Sequence, residues 1–137
     1  MNKLVAAALA AALICIAIPA FAEDEVVTVT FASIVATPAK DGSTLDPKLF
    51  SFGSNKAGAD EDRSRVSGST HGRSKEDACR WAMLSSFLKF QHKAQSMGKH
   101  VTEVRTNIGD QKSDKADACL CLVGRWAVKS QIIAVYK

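Results

Sequence analysis

The longest regular pattern of hydrophobic positions in this chain lies between Ser74 and Gly98. Apolar residues recur there at steps of three and four, which is the spacing of one face of an α-helix. These residues are Cys79, Met83, Phe87, Phe90, Ala94 and Met97. Polar residues on the opposite side include Lys89 and His92, while Ser74 and Gly98 are suited to cap the two ends. The pattern predicts one amphipathic helix from about Lys75 to Met97.

Shorter segments with alternating polarity predict β-strands on both sides of this helix. The predicted strands are 48–53 (KLFSFG), 101–108 (VTEVRTNI), 118–129 and 132–136, with a weak edge strand in 66–73. Residues 23–39 fit either a strand or a short helix, and the polar segments 54–65 and 109–117 predict an exposed loop and a charged hairpin loop. The prediction is an α+β fold, with one long helix packed on a small, mainly antiparallel sheet.

The predicted strand 118–129 has two apolar faces, so its orientation is ambiguous. Leu120, Leu122 and Trp126 share one face, and Cys119 and Cys121 share the other. The face with the larger side chains looks the more buried. Gly124, in the middle of this segment, suggests a β-bulge or a close approach of the helix.

The N-terminus has the features of a secretory signal peptide. Lys3 precedes an apolar run, and Ala20-Phe21-Ala22 forms a small-x-small cleavage site, whereas the residues before Cys15 do not fit a lipoprotein signal. We therefore predict a signal peptide at 1–22, an N-terminal segment at 23–47 and an α+β domain at 48–137, in a soluble periplasmic product. Removal of 22 residues from the chain of 137 would leave 115, which suits one domain.

The charge pattern does not indicate nucleic-acid binding. The whole chain has a formal net charge of +4, but its cations are interleaved with acids and it has few aromatic residues. Three cysteines, Cys79, Cys119 and Cys121, follow the predicted cleavage site. Export implies an oxidising compartment, so we expect one disulfide and one free thiol. Cys79 on the helix can meet either of the other two.

No catalytic motif is present, and we expect neither enzyme activity nor a cofactor. The chain lacks a nucleophile elbow, a phosphate-binding glycine loop and a zinc-binding His–Glu helix motif. The histidines are scattered, so no metal site is predicted. A metal-binding or thiol-redox module that combines Cys119 with His71 or His100 remains the alternative to a structural disulfide.

Three motifs resemble a family of small exported bacterial proteins that are catalogued as excinuclease ATPase subunits. The matching residues are Phe50, Phe52 and Gly53; Ala78, Cys79, Trp81 and Ala82; and Cys121 and Gly124. The DNA-repair name does not fit an exported chain without a phosphate-binding loop. More loosely, the helix and following strands are similar to the periplasmic domain of the Rcs envelope-stress sensor lipoprotein and to domains labelled heavy-metal-binding.

The family of small exported bacterial proteins has a late C-x-x-G motif, which Cys121 and Gly124 match here. The resemblance to that family therefore implies a disulfide between Cys79 and Cys121, with Cys119 as the free thiol. From the signal peptide and the absence of catalytic motifs, we expect a non-catalytic role in the cell envelope, in binding, structure or stress response. The expected partner is another envelope protein, and the sequence does not specify the oligomeric state.

Overall fold

One long helix packs on a curled antiparallel sheet in the computed structural model of this protein, which describes residues 24–51, 60–113 and 117–137. The strands are β1 (Glu25–Thr30), β2 (Asp60–Ser69), β3 (Val101–Ile108), β4 (Gln111–Lys112), β5 (Ala118–Val123) and β6 (Ala127–Tyr136). The helices are α1 (Phe31–Val35), a 3-10 helix (Pro47–Leu49) and α2 (Lys75–Met97). The predicted α+β class is confirmed, whereas the predicted signal peptide at 1–22 lies outside the described residues.

The bounds of α2 agree with the prediction because local sequence signals cap both of its ends. The Ser74 hydroxyl accepts a hydrogen bond from the Asp77 backbone N–H at 3.2 Å. At the other end, Gly98 adopts a left-handed conformation with φ of 65°, which glycine adopts without steric cost. Phe87 on the predicted apolar face is fully buried, and His92 on the opposite face is exposed.

Strand β6 is the centre of the sheet. It pairs along its whole length with β2 on one side. On its other side it pairs with β5 near its start and with β3 near its end. Strand β1 extends the sheet beyond β5, and β4 extends it beyond β3.

The sheet therefore splits along one side of β6, and side chains satisfy the backbone groups at the split. The Leu120 N–H donates to Thr106 Oγ1 at 2.9 Å. The Leu120 carbonyl accepts from Ser130 Oγ at 2.6 Å. Unpaired backbone groups in such a place would cost free energy, so these two hydroxyls allow β3 and β5 to separate.

The core lies between α2 and one face of the sheet. Val128, Ile132, Ala134 and Tyr136 of β6 belong to this core together with buried residues of α2. Helix α1 and the segment that follows it pack on the same side. The rings of Phe31, Phe50 and Phe87 lie 5.2–5.5 Å apart, and the Gln91 amide hydrogen-bonds the backbone of Thr44 and Asp46.

Two predictions for the first half of the chain are wrong in part. The segment predicted as a strand at 48–53 begins in the 3-10 helix Pro47–Leu49, which Asp46 caps, and Phe50 forms a single parallel bridge with Val101. Phe52 and Gly53 lie outside the described residues. The ambiguous segment 23–39, of which residue 23 lies outside the described residues, forms both elements, β1 and then α1.

The predicted loop 54–65 is also wrong for residues 60–65, which begin β2. This strand is polar because it lies at the edge of the sheet, where one side chain in two faces solvent. Its inward-facing Asp60 and Asp62 form ion pairs with Lys99 and Lys93 near the end of α2. Residues 66–69 complete this edge strand as predicted, and 54–59 lie outside the described residues.

The end of the chain is divided differently from the prediction. The strand expected at 118–129 breaks at Gly124, where the chain turns and the Gly124 N–H donates to the Ala127 carbonyl at 2.9 Å. Ser130 and Gln131, expected to interrupt the strand, lie within the continuous β6. In the predicted hairpin loop 109–117, Gln111–Lys112 form β4, and 114–116 lie outside the described residues.

Candidate functional site

Cys79 and Cys121 form the disulfide that the resemblance implied. Their Cα atoms are 5.8 Å apart, and the bond joins the first turns of α2 to the middle of β5. The face of β5 that carries Cys119, Cys121 and Val123 is the one turned to the helix. The prediction that the Leu120, Leu122 and Trp126 face is the more buried is therefore wrong.

Cys119 is a free cysteine, and it is buried, with 1% of its surface exposed. Burial, with a smaller contribution from the Asp117 carboxylate, raises the pKa of its thiol to about 12. A thiol with such a pKa stays protonated at neutral pH, and the protonated form is a weak nucleophile and a poor metal ligand. The histidines proposed to act with it, His71 and His100, are exposed.

The described residues contain no group of three or more histidine, cysteine, aspartate or glutamate side chains that could hold a metal ion. Within the described part of the chain, Cys119 therefore belongs to no such group.

We expect Cys119 to resist alkylation in the folded protein and to react once the chain unfolds. Folding raises the pKa of the Cys119 thiol from 9.0 to about 12. As the pH rises, the thiol therefore loses its proton at a lower pH in the unfolded chain than in the folded protein. The free energy of unfolding should then fall between about pH 9 and pH 12, by at most about 1.4 kcal/mol per pH unit. Denaturant unfolding at several pH values would measure this slope, which Cys119→Ala should reduce. Rapid labelling of native Cys119 would contradict the prediction.

The face of the sheet turned away from α2, here called the outer face, carries a different set of side chains. It includes Glu61, Arg63, Arg65 and Ser67 of β2; Lys129, Gln131, Ile133 and Val135 of β6; Glu103, Arg105 and Asn107 of β3; and Leu120 and Leu122 of β5. Both α-helices and the segment 36–51, which includes the 3-10 helix, lie on the other side. Among the described elements, no helix crosses the outer face.

Charged side chains are arranged in rows across the outer face. The strand register places Val135 between Glu61 and Glu103, and Ile133 between Arg63 and Arg105. Within each outer strand the two charges pair: Arg63 with Glu61 at 3.2 Å, and Arg105 with Glu103 at 3.1 Å. The aliphatic parts of such side chains can cover the apolar residues between them, consistent with the low exposure of Ile133 and Val135, 5% and 4%.

Trp126 lies at the turn between β5 and β6, and 70% of its surface is exposed. The turn is held in place by Thr70, whose hydroxyl donates to the Arg125 carbonyl at 2.5 Å. The Arg125 guanidinium stacks 4.9 Å from the centre of the indole ring. A large, exposed aromatic side chain on an anchored turn is a frequent feature of contact surfaces.

Sequence reasoning did not find the outer face as a candidate site. Glu61, Arg63 and Arg65 alternate with period two, which is a strand signal, but they lie in a segment that looked like a loop. Only their pairing with β6 places them beside Lys129 and Gln131. Trp126 is exposed at a turn and does not lie on a buried strand face as predicted, because the strand ends before Gly124 and the chain turns there.

The fold and these features define a disulfide-linked α+β domain with one covered and one charged sheet face. In comparisons with known proteins, no family model, no curated protein and no solved structure matches this chain. None of the helices in the described residues is long and apolar enough to span a membrane.

Proposed function

We propose that this protein is an exported periplasmic protein that acts by binding another envelope component and not by catalysis. The observation that carries the proposal is the Cys79–Cys121 disulfide, which links the only long helix of the described chain to the sheet. Structural disulfides persist in oxidising compartments and are rare in the reducing cytosol. The predicted signal peptide at 1–22 independently supports the same destination.

The environment of Cys119 favours a binding role over a thiol-redox or metal-binding role. Reactive cysteines are partly exposed and have a lowered pKa. Cys119 is 1% exposed, and burial raises its pKa. The alternative function would therefore require the core around β5 to open, whereas a binding role requires no change in the fold.

The outer face is the surface that we propose meets the partner. It presents paired charges on the two strands beside β6, together with the half-buried Leu122 of β5, a mixture of charged and apolar groups that is typical of contact surfaces. Trp126 at the β5–β6 turn adds an anchored aromatic side chain near one end of the sheet. The solvent-exposed face of α2 carries His92 and Lys89, and none of its described residues is an exposed large aromatic side chain.

Mass spectrometry of the protein isolated from its own compartment would test this function. We expect a mature chain that begins at Glu23, an oxidised Cys79–Cys121 pair and one free thiol at Cys119. A photo-crosslinking amino acid at Arg63 should capture an envelope component, and the same group at His92 on the opposite side should not. An uncleaved chain with three reduced thiols would contradict export, and equal capture from both positions would contradict the outer face.

A further inference from the structure

A cavity of about 540 Å³ opens on the outer face where the sheet splits. Strand β6 contributes Lys129 and Gln131 to its lining, β2 contributes Arg65, β3 contributes Asn107, and β5 contributes Leu122. The cavity exists at this position because β3 and β5 separate on the same side of β6. Its volume lies within the range of pockets that hold small molecules.

The two cations of the cavity lack the carboxylate partners that other cations of the outer face have. Arg63 pairs with Glu61 and Arg105 with Glu103, but neither Arg65 nor Lys129 forms an ion pair within the described ranges. Arg65 lies opposite Gln131, and Lys129 lies two residues before Gln131 on the same face. The two residues are therefore diagonal neighbours, which lie about 7–8 Å apart with their Cβ atoms somewhat closer, so that one anionic group can contact both.

Asn107 borders the same cavity, and the oxygen of its side-chain amide has no hydrogen-bond partner within the described ranges. Its Oδ1 is buried and accepts no hydrogen bond from any described residue. Gln131 lies between Asn107 and Arg65 in the strand register, which puts two amides and a guanidinium in one row. A buried acceptor without a donor costs free energy. A turn of the amide toward a hydroxyl in the cavity would remove that cost.

We propose that this cavity binds a small hydroxylated anion, such as a sugar phosphate or a sugar acid. The anionic oxygens lie between the Arg65 guanidinium and the Lys129 ammonium, which form charge-assisted hydrogen bonds with them. A ligand hydroxyl donates to Asn107, and the carbon skeleton contacts Leu122. The inference rests on the proposed binding function and names the class of ligand for the outer face.

Titration of the oxidised mature protein by nuclear magnetic resonance would test the site, with glucose 6-phosphate and glucuronate as probes and glucose as the neutral control. We expect saturable binding of at least one anion and none of glucose; the stronger probe identifies phosphate or carboxylate as the preferred group. Arg65→Ala and Lys129→Ala should each weaken binding about ten-fold or more. Arg63→Ala, on the same strand but paired with Glu61, is the matched control and should change affinity less than about two-fold.

Asn107→Ala separates the hydroxyl contact from the anionic contact. It should weaken binding of the sugar anion several-fold and leave binding of inorganic phosphate unchanged. Absence of saturable binding would overturn the proposed site. An equal loss of affinity in Arg63→Ala and Arg65→Ala would also overturn it, because such a result indicates diffuse attraction to a basic surface. Failure of these binding tests would not by itself contradict the proposed function. If the signal peptide is cleaved, the disulfide is intact and the crosslinker at Arg63 captures a partner, the binding function stands and only this ligand is excluded.

Discussion

Replacement of Phe87 by alanine is expected to lower the free energy of unfolding by about 3–5 kcal/mol. The Phe87 side chain is fully buried between α2 and the sheet. Its ring meets Phe31 and Phe50 at centroid distances of 5.2 and 5.5 Å. Removal of the ring would leave a cavity at the junction of three chain segments and would also remove two aromatic contacts. Denaturant unfolding monitored by circular dichroism would measure the loss.

His92→Ala is the matched control for Phe87→Ala, because both residues lie in the same helix. His92 is exposed and does not belong to the hydrophobic core, so its replacement should change the free energy of unfolding by less than about 0.5 kcal/mol. A large effect at His92 with a small effect at Phe87 would mean that the helix presents the opposite face to the sheet.

Removal of the disulfide in the double variant Cys79→Ala and Cys121→Ala should cost roughly 4 kcal/mol. The bond closes a loop between residues separated by 42 positions, and in the chain-entropy model a loop of this length restricts the unfolded chain by that amount. Both sulfur atoms are buried, so lost packing adds to the cost. Thermal unfolding of the oxidised protein and of this variant, under the same conditions, would measure the difference.

Cys119→Ala is the control for this double variant, because Cys119 shares the buried face of β5 but forms no bond. It should retain the disulfide and lose far less stability. Peptide mapping of the non-reduced protein should recover Cys79 joined to Cys121. A link between Cys79 and Cys119 in the peptide map would contradict the assigned pairing. If the double variant is as stable as the oxidised protein, the bond does not stabilise the fold.

The elements whose signals are local were predicted with the correct bounds. Helix α2 begins after Ser74 and ends before Gly98 because a side-chain hydroxyl and a left-handed glycine cap it. Strand β3 occupies residues 101–108 as predicted because one of its faces is polar and the other apolar. In both elements the residues that decide the structure lie within a few positions of one another.

The first half of β2 and the orientation of β5 were not predicted, because both depend on partners that are distant in the chain. Strand β2 is charged and resembles a loop, and it forms a strand because β6, almost seventy residues later in the chain, pairs with its whole length. The orientation of β5 was ambiguous because both of its faces are apolar. The disulfide and the pairing of Val27 and Val29 with Cys121 and Cys119 decide that the cysteine face turns inward.

The sequence by itself determined the fold class, the long helix and the cysteines available for a bond, because hydrophobic period, caps and residue types are properties of short segments. Tertiary structure alone decided the outer face and its cavity. Arg65, Asn107 and Lys129 come from three separate strands, and only the split of the sheet beside β6 brings them together. No local sequence pattern predicts that these three residues lie together, because strand pairing depends on burial and on backbone hydrogen bonds between segments far apart in the chain.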